Sequence, residues 1–234
     1  MAVRLNKFLV EQGVCSRREA DRLIAAGKVQ VNGVAATLGQ KIEGGEALTV
    51  QGRPVQVADR PRVYLAYNKP VGIICTSDPK AHDTIIDAIG YPERIFHIGR
   101  LDVASSGLIL LTNDGDIVNA ILRAEEKHEK EYVVDVDKPI TDAFLRGVQR
   151  GVDIGDDHPT LPAQIVQEGP RTFRIILIEG RNRQIRRMCD AFGYTVKALR
   201  RVRVMHLTVD GLQEGEWRHL TEEETQALLR QVQR

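Results

Sequence analysis

Arg100 and Asp102 stand together in the stretch HIGRLDVASSGLILLTNDGD, His97 to Asp116, directly ahead of the apolar run Leu108 to Leu111. A carboxylate at the mouth of a buried strand either orders a turn or serves as a chemical group. A lone Gly-x-x-Asp reads first as a turn. Three features favour chemistry. Gly99 and Gly107 bracket the segment and permit close backbone approach. The apolar run can fix the loop rigidly to the core, as an acting group requires. The chain also offers partners: Tyr132 in KEYVV, and Arg181, Arg183, Arg186 and Arg187 in EGRNRQIRRM. A carboxylate kept ionised by a nearby cation can act as a nucleophile or a base. Glycoside hydrolysis needs a second carboxylate. Near Asp102 only Asp114 and Asp116 are available, and they sit in a helix-cap context.

The elements that must position these groups form two regions. With 234 residues the chain can hold one large domain, or a small one and a medium one. Residues 1–60 read as a small module and residues 61–234 as a larger domain. In the module, Leu5, Phe8 and Leu9 fall at helical spacing over Arg4 to Gln12. Ser16 and Glu19 form a capping box for a second helix, which Gly27 stops. KVQVNG is a short strand ending in the turn Asn32-Gly33, and ALTVQGRPVQV a hairpin about Gln51-Gly52. The proline-broken VADRPR, Val57 to Arg62, is the expected linker. Beyond it, VYLAYNKP, GLILLT, KEYVVDV, TFRIILIEG and HLTVDGL read as strands. DGDIVNAILRA, RNRQIRRMCDAFGY and TEEETQALLRQVQ read as helices, the last with the capping box Thr221 and Glu224. Strands and helices mix without βαβ alternation. The expected class is α+β, with a mixed, largely antiparallel sheet and flanking helices.

Composition narrows the function. The chain is 42% hydrophobic and 28% charged, as in soluble globular proteins. It shows no membrane-length apolar run and no signal-peptide core, so a cytoplasmic location is expected. Cys15, Cys75 and Cys189 are far apart, and the histidines lack ligand spacing, so neither a disulfide framework nor a metal is expected. The net charge of +1 hides a basic zone: residues 171–203 carry ten Lys or Arg against Glu179 and Asp190. Such density points to a polyanion. Arg181 to Arg187, with Arg200, Arg201 and Arg203, are the expected phosphate contacts. Arg17 and Arg18 open the second helix, where cations oppose the macrodipole; a purely structural design would avoid them there. No exposed heptad or apolar stripe suggests an oligomer, so a monomer is expected.

RLNKFLVEQGVCSRREADRLIAAGKVQVNG resembles the S4 RNA-binding module over almost its whole length. The resemblance implies an RNA-facing set of Arg4, Lys7, Ser16, Arg17, Arg18, Lys28 and Asn32. The whole chain is similar to the RsuA family of pseudouridine synthases. The matching pieces are LAYNKPVGIICT, GRLDVASSGLILLTNDGD, EKEYVVDVDKPI and EGRNRQIRRMCDAFGY, in the family's order. RAEEKHEKEYVV, RVRVMHL and GEWRHLTEEE bring it nearest to the F-type branch that acts on the large ribosomal RNA. The resemblance implies isomerisation of uridine to pseudouridine in 23S ribosomal RNA, with a tyrosine tRNA anticodon uridine as a second target. No cofactor is implied. Asp102 becomes the essential carboxylate, Arg186 its ion-pair partner with Arg183 second, and Tyr132 the ring that stacks on the flipped base. Ile178 is expected against the uracil, and Arg100, Asn68, Lys69, Arg183 and Arg187 near the substrate. Two departures stand out: Val103-Ala104 where charged or polar residues are usual, and His97 where proline is common. The competing reading is a non-catalytic S4-type ribosome-assembly factor. It has no need for Asp102, Tyr132 and Arg186 together.

Overall fold

A computed structural model describes residues 2–57, 61–78, 80–123 and 128–232. Ala58 to Arg60, the middle of the expected linker, lie outside the described residues, as do Ala124 to Lys127 in RAEEKHEKEYVV. Backbone contacts divide the chain into two compact units that meet between Arg62 and Val63.

The smaller unit contains β1 (Val3–Arg4), α1 (Leu5–Glu11), α2 (Arg17–Ala25), β2 (Val29–Val31), β3 (Val34–Ala35), β4 (Lys41–Ile42), β5 (Leu48–Val50) and β6 (Arg53–Pro54). Local chemistry builds it. Ser16 accepts the Glu19 N–H at 3.1 Å and starts α2. Leu5, Leu9, Ala20, Leu23 and Ile24 close its core against Val29, Val31 and Leu48. β2 and β3 join through Asn32 and Gly33, with φ of 52° and 81°. β5 and β6 join through Gln51 and Gly52, with φ of 50° and 77°. Both are the left-handed pairs that match strand twist in two-residue hairpins. The Asn32 Oδ1 also accepts the Ala47 N–H at 2.9 Å.

The larger unit contains β7 (Tyr64–Lys69), α3 (Ile85–Ile89), β8 (Phe96–Ile98), β9 (Ser106–Thr112), α4 (Gly115–Arg123), β10 (Lys130–Val136), α5 (Asp142–Arg150), β11 (Gln164–Gln167), β12 (Thr172–Leu177), α6 (Gln184–Ala191), β13 (Val196–Val204), β14 (Leu207–Thr208), β15 (Trp217–His219) and α7 (Glu222–Val232). Its nine-stranded sheet runs β11-β12-β10-β13-β9-β7-β15, with β14 on β13 and β8 on β9. Among the described residues its strand pairings are antiparallel except that of β13 with β9. This is the mixed, largely antiparallel α+β architecture expected from the sequence.

Alternation sorts the strands onto two cores. In β7 and β9, Leu65, Tyr67, Ile109 and Leu111 face the core that holds Phe144 of α5 and Ile185 and Met188 of α6. Tyr64, Ala66, Leu108 and Leu110 face the core that holds Ile117 and Ile121 of α4 and Leu228 of α7. Asp114 caps α4, its Oδ1 accepting the Asp116 and Ile117 N–H groups at 3.1 and 3.4 Å. Thr221 and Glu224 exchange hydrogen bonds of 2.8 and 3.2 Å, completing the expected capping box.

Two readings need correction. HLTVDGL is strand only over Leu207–Thr208. The arginine-rich VKALRRVRV is a central nine-residue strand, not simply a basic surface. Arg201 is 5% exposed and its Nε donates to the Leu108 carbonyl at 2.7 Å. Arg203 pairs with Glu131 at 2.6 Å and Glu129 at 3.0 Å. These two cations are committed to the sheet; Arg200 is exposed.

Candidate active site

The parallel step between β9 and β13 places the site. Arg201 on β13 registers with Gly107 on β9. A Cβ at Gly107 would lie 2.1 Å from the Arg201 carbonyl oxygen, and the residue has φ +108°. Only glycine allows this approach. The chain entering β9 is thereby held against β13. The loop before it, Gly99 to Ser105, sits beside the segment that opens α6.

That loop is tied at several points. The Ser105 N–H donates to the Asp102 carbonyl at 3.0 Å, closing a tight turn. The Gly72 N–H donates to the Val103 carbonyl at 2.9 Å. The Arg186 Nη2 donates to the Ala104 carbonyl at 2.9 Å and the Ser105 Oγ at 3.3 Å. The turn is thus bound to α6 by a guanidinium.

The loop opens on a cleft of about 440 Å³. His97, Arg100, Leu101 and Asp102 line one side; Lys130 and Tyr132 of β10, Leu177, Glu179 and the α6 entry from Arg181 to Arg186 line the rest, with Leu199 and Arg201 of β13. Arg183 reaches Asp102, with Nη1 3.8 Å from Oδ2. Both side chains are more than a third exposed, so in water the attraction amounts to about 1 kcal/mol or less. Arg183 occupies the left-handed region at φ 49° and precedes α6 without a capping hydrogen bond of its own. A non-glycine residue held there carries about 1–3 kcal/mol of strain. Surrounding bonds hold it. The buried Glu179 carboxylate accepts the Leu161 N–H at 2.9 Å, Gln184 Nε2 at 2.6 Å and Arg181 Nε at 3.1 Å. Those three donors offset its burial.

The expected site residues do not all converge. Asp102, Tyr132, Arg100, Arg183 and Arg186 line the cleft. The ion pair assigned to Arg186 is made by Arg183, because the Arg186 guanidinium is turned onto the backbone of the Asp102 turn. Ile178 is 39% exposed and off the cleft. Ile178 is not on the strand: β12 ends at Leu177, and in the bend that follows Ile178 is exposed between the buried Leu177 and Glu179. Asn68 and Lys69 are buried, at 1% and 0% exposure, and do not line the cleft. Asn68 Nδ2 donates to the Leu212 carbonyl, and Lys69 Nζ to the Pro70 and Ile73 carbonyls at 2.7 and 2.9 Å. Burial holds the Lys69 ammonium below its ordinary pKa, while Cys75, Asp102 and Glu214 push it back up. Arg187 is also off the cleft, bonded to Asp156 at 2.5 Å and to the Ile154 carbonyl.

Lys130, Leu177, Glu179 and His97 were not singled out as site residues. Inward parity marks Lys130 in KEYVV and Leu177 in IILIEG; Glu179 lies past the end of its strand. His97 was visible only as a departure from the proline common there.

In the smaller unit Arg4, Ser16, Arg17, Arg18, Lys28 and Asn32 are exposed. Lys7 is half-buried, 3.5 Å from Glu11. Ser16 and Asn32 also serve the local fold through the cap and turn described above.

Comparison with known proteins bears on this geometry. Residues 63–191 match the RNA pseudouridylate synthase family model, and residues 3–48 the S4 domain model. The chain belongs to the RNA pseudouridine synthase family. It is 50% identical over 224 residues to the dual-specificity RNA pseudouridine synthase RluF of Escherichia coli (strain K12), covering 95% of this chain and 77% of that protein. It is 37% identical over 234 residues to ribosomal large subunit pseudouridine synthase B of Bacillus subtilis (strain 168), covering 96% of this chain and 95% of that protein. A crystal structure of a pseudouridylate synthase superposes with a TM-score of 0.70 at 30% identity, over 97% of this chain and 99% of the other. This pseudouridine synthase therefore carries an S4 module ahead of its catalytic fold. The scaffold-only reading is set aside. Among the described residues no helix is long and apolar enough to cross a membrane.

Proposed function

We propose that this synthase isomerises specific uridines in 23S ribosomal RNA, with Asp102 as the acting carboxylate, and takes a tRNA anticodon uridine as a second substrate. The observation that carries the chemistry is Asp102 in a cleft with Arg183 and Tyr132, on a turn bound to α6 by Arg186. The substrate reading is supported by 50% identity to a dual-specificity enzyme and 37% identity to an enzyme of the large ribosomal subunit.

The reaction breaks the C1′–N1 bond, turns the uracil and forms C1′–C5. The C5 proton leaves and N1 gains one. No electron is transferred and no water is added, so the stoichiometry calls for no cofactor. Asp102 acts on the sugar, as nucleophile at C1′ or as base at C2′. Either role uses the ionised carboxylate, and water excluded by substrate strengthens its attraction to Arg183. Tyr132, 9% exposed on β10, offers a ring for stacking on the extruded base. Extrusion costs a few kcal/mol, offset by phosphate contacts. Arg100 and Arg183 at the cleft, and Arg17, Arg18 and Lys28 on the S4 module, are the cations assigned to those contacts. The domains are residues 1–60 for RNA binding and 61–234 for catalysis. The enzyme works as a cytoplasmic monomer.

The address is read by carbodiimide primer extension of 23S rRNA and tRNA. Cells lacking the gene are compared with cells complemented by the wild type. Loss and recovery of one ribosomal site and one anticodon site supports the proposal. An unchanged map in both RNAs overturns it.

A further inference from the structure

We propose that His97 is a substrate-positioning residue of this cleft, whose bare Nε2 accepts a hydrogen bond from the target nucleotide. The proposal rests on reading the cleft as the uridine site.

His97 lies on β8, five residues before Asp102, and lines the same cleft. Its neighbour Ile98 packs with Ile117 and Ile121 of α4 in the opposite core, so alternation turns the imidazole toward the cleft. The Nδ1 atom is 2.8 Å from the Gly99 carbonyl oxygen. A carbonyl only accepts, so Nδ1 carries the proton and the neutral ring presents Nε2 as an acceptor. Nε2 makes no hydrogen bond among the described residues, and it is not sealed in the interior as His128 Nε2 is.

The other lining groups explain why such an acceptor matters. Arg100, Lys130, Arg183 and Arg201 are donors. Glu179 has both carboxylate oxygens engaged by Leu161, Gln184 and Arg181. Asp102 is reserved for the sugar. A uridine within an RNA chain has two donors, N3–H on the base and the ribose 2′-OH. Cations can hold its carbonyls and phosphates but neither donor; Ser105, Tyr132 and Asn182 also bring oxygens to the cleft, and His97 Nε2 adds an acceptor that carries no proton of its own. Burial, the first influence, and the charge of Arg100 favour the neutral ring, and the Gly99 bond opposes them; the pKa lies below 6.5.

The test uses the full chain and a stem-loop carrying the mapped uridine. His97→Ala is expected to raise KM and Kd about tenfold, the worth of one hydrogen bond, with kcat within about threefold. His97→Gln, whose amide oxygen can accept, recovers most of the loss. Kd is then measured with 3-methyluridine or 2′-deoxyuridine at the target. The substitution that erases the wild-type advantage over His97→Ala names the donor. As pH falls below 6.5, wild-type affinity drops relative to His97→Gln, because the imidazolium cannot accept. The other charged groups facing the cleft, Arg100, Asp102, Lys130, Glu179, Arg181, Arg183, Arg186 and Arg201, are the same in both proteins, so the comparison isolates position 97. Unchanged KM in His97→Ala, failure of Gln to rescue, or a loss that persists with both modified nucleotides overturns the proposal. A wild-type chain that makes no pseudouridine would instead sink the reading of the cleft.

Discussion

Gly107→Ala tests whether the parallel β9–β13 step is the hinge on which the active-site loop depends. The new methyl carbon would stand 2.1 Å from the Arg201 carbonyl oxygen, 2.6 Å from its nitrogen and 2.8 Å from its carbonyl carbon. All three neighbours are backbone atoms, so no side chain can swing aside. The position also has φ +108°, where an L residue is strained by about 1–3 kcal/mol. Relieving the overlap by parting the strands adds about 1–3 kcal/mol. The sum is about 2–6 kcal/mol. For a unit of this size that lowers Tm by roughly 4–24 °C. Calorimetry of the full chain reads it as a shift of the larger unit's transition, with the S4 unit's transition in place. Pseudouridine formation at permissive temperature should fall as well, because β9 carries the Asp102 loop. A Tm change under about 3 °C with normal turnover would show that the two strands need not approach so closely.

Arg186→Ala should lower kcat at least tenfold while leaving RNA affinity within about threefold, since it removes the donors holding Ala104 and Ser105 rather than a group that touches substrate. Lysine should not rescue it, lacking the planar fork whose Nη2 holds Ala104 and Ser105 while Nη1 reaches the Val196 carbonyl; steady-state kinetics on the mapped stem-loop checks both. Glu224 has its pKa lowered to about 2 from 4.5, chiefly by Arg218, so its contribution is full above about pH 4.5 and disappears as pH falls toward 2. Glu224→Gln should therefore lower the urea midpoint at pH 6 more than at pH 3; an equal loss at both would refute the assignment. Replacing Arg17 and Arg18 together by Ala should weaken RNA binding and reduce the slope of log Kd against log salt by about 0.7–0.9 for each phosphate no longer neutralised. An unchanged slope would remove both from the RNA face.

The parts of the fold that were legible in the sequence are those set by short-range chemistry. Ser16 with Glu19, Thr221 with Glu224, and the Asn32-Gly33 and Gln51-Gly52 turns all appear as expected, because caps and left-handed turns depend on residues a few positions apart. β13 was hidden because its exposed and buried arginines look alike in sequence. Arg201 is interior only through Leu108, 93 positions away. The same limit governs the site. Asp102 and Tyr132 could be named from their motifs. Whether Arg183 or Arg186 meets Asp102 depends on the left-handed turn at Arg183, which no residue type announces. Ile178 was misplaced because β12 ends one residue earlier, at Leu177, and the bend that follows puts its side chain at the surface. Asn68-Lys69 was recognised as a motif, but its burial beneath the loop follows from β7 lying between β9 and β15.

The most direct measurement compares wild type and Asp102→Asn on the mapped RNA, with pseudouridine quantified by nucleoside mass spectrometry and affinity by fluorescence anisotropy. The substitution keeps the side chain's shape and removes its charge. The account predicts no detectable pseudouridine from Asp102→Asn and a Kd within about threefold of wild type. Substantial pseudouridine from Asp102→Asn would return Asp102 to the role of a turn residue and contradict the assignment of the acting group.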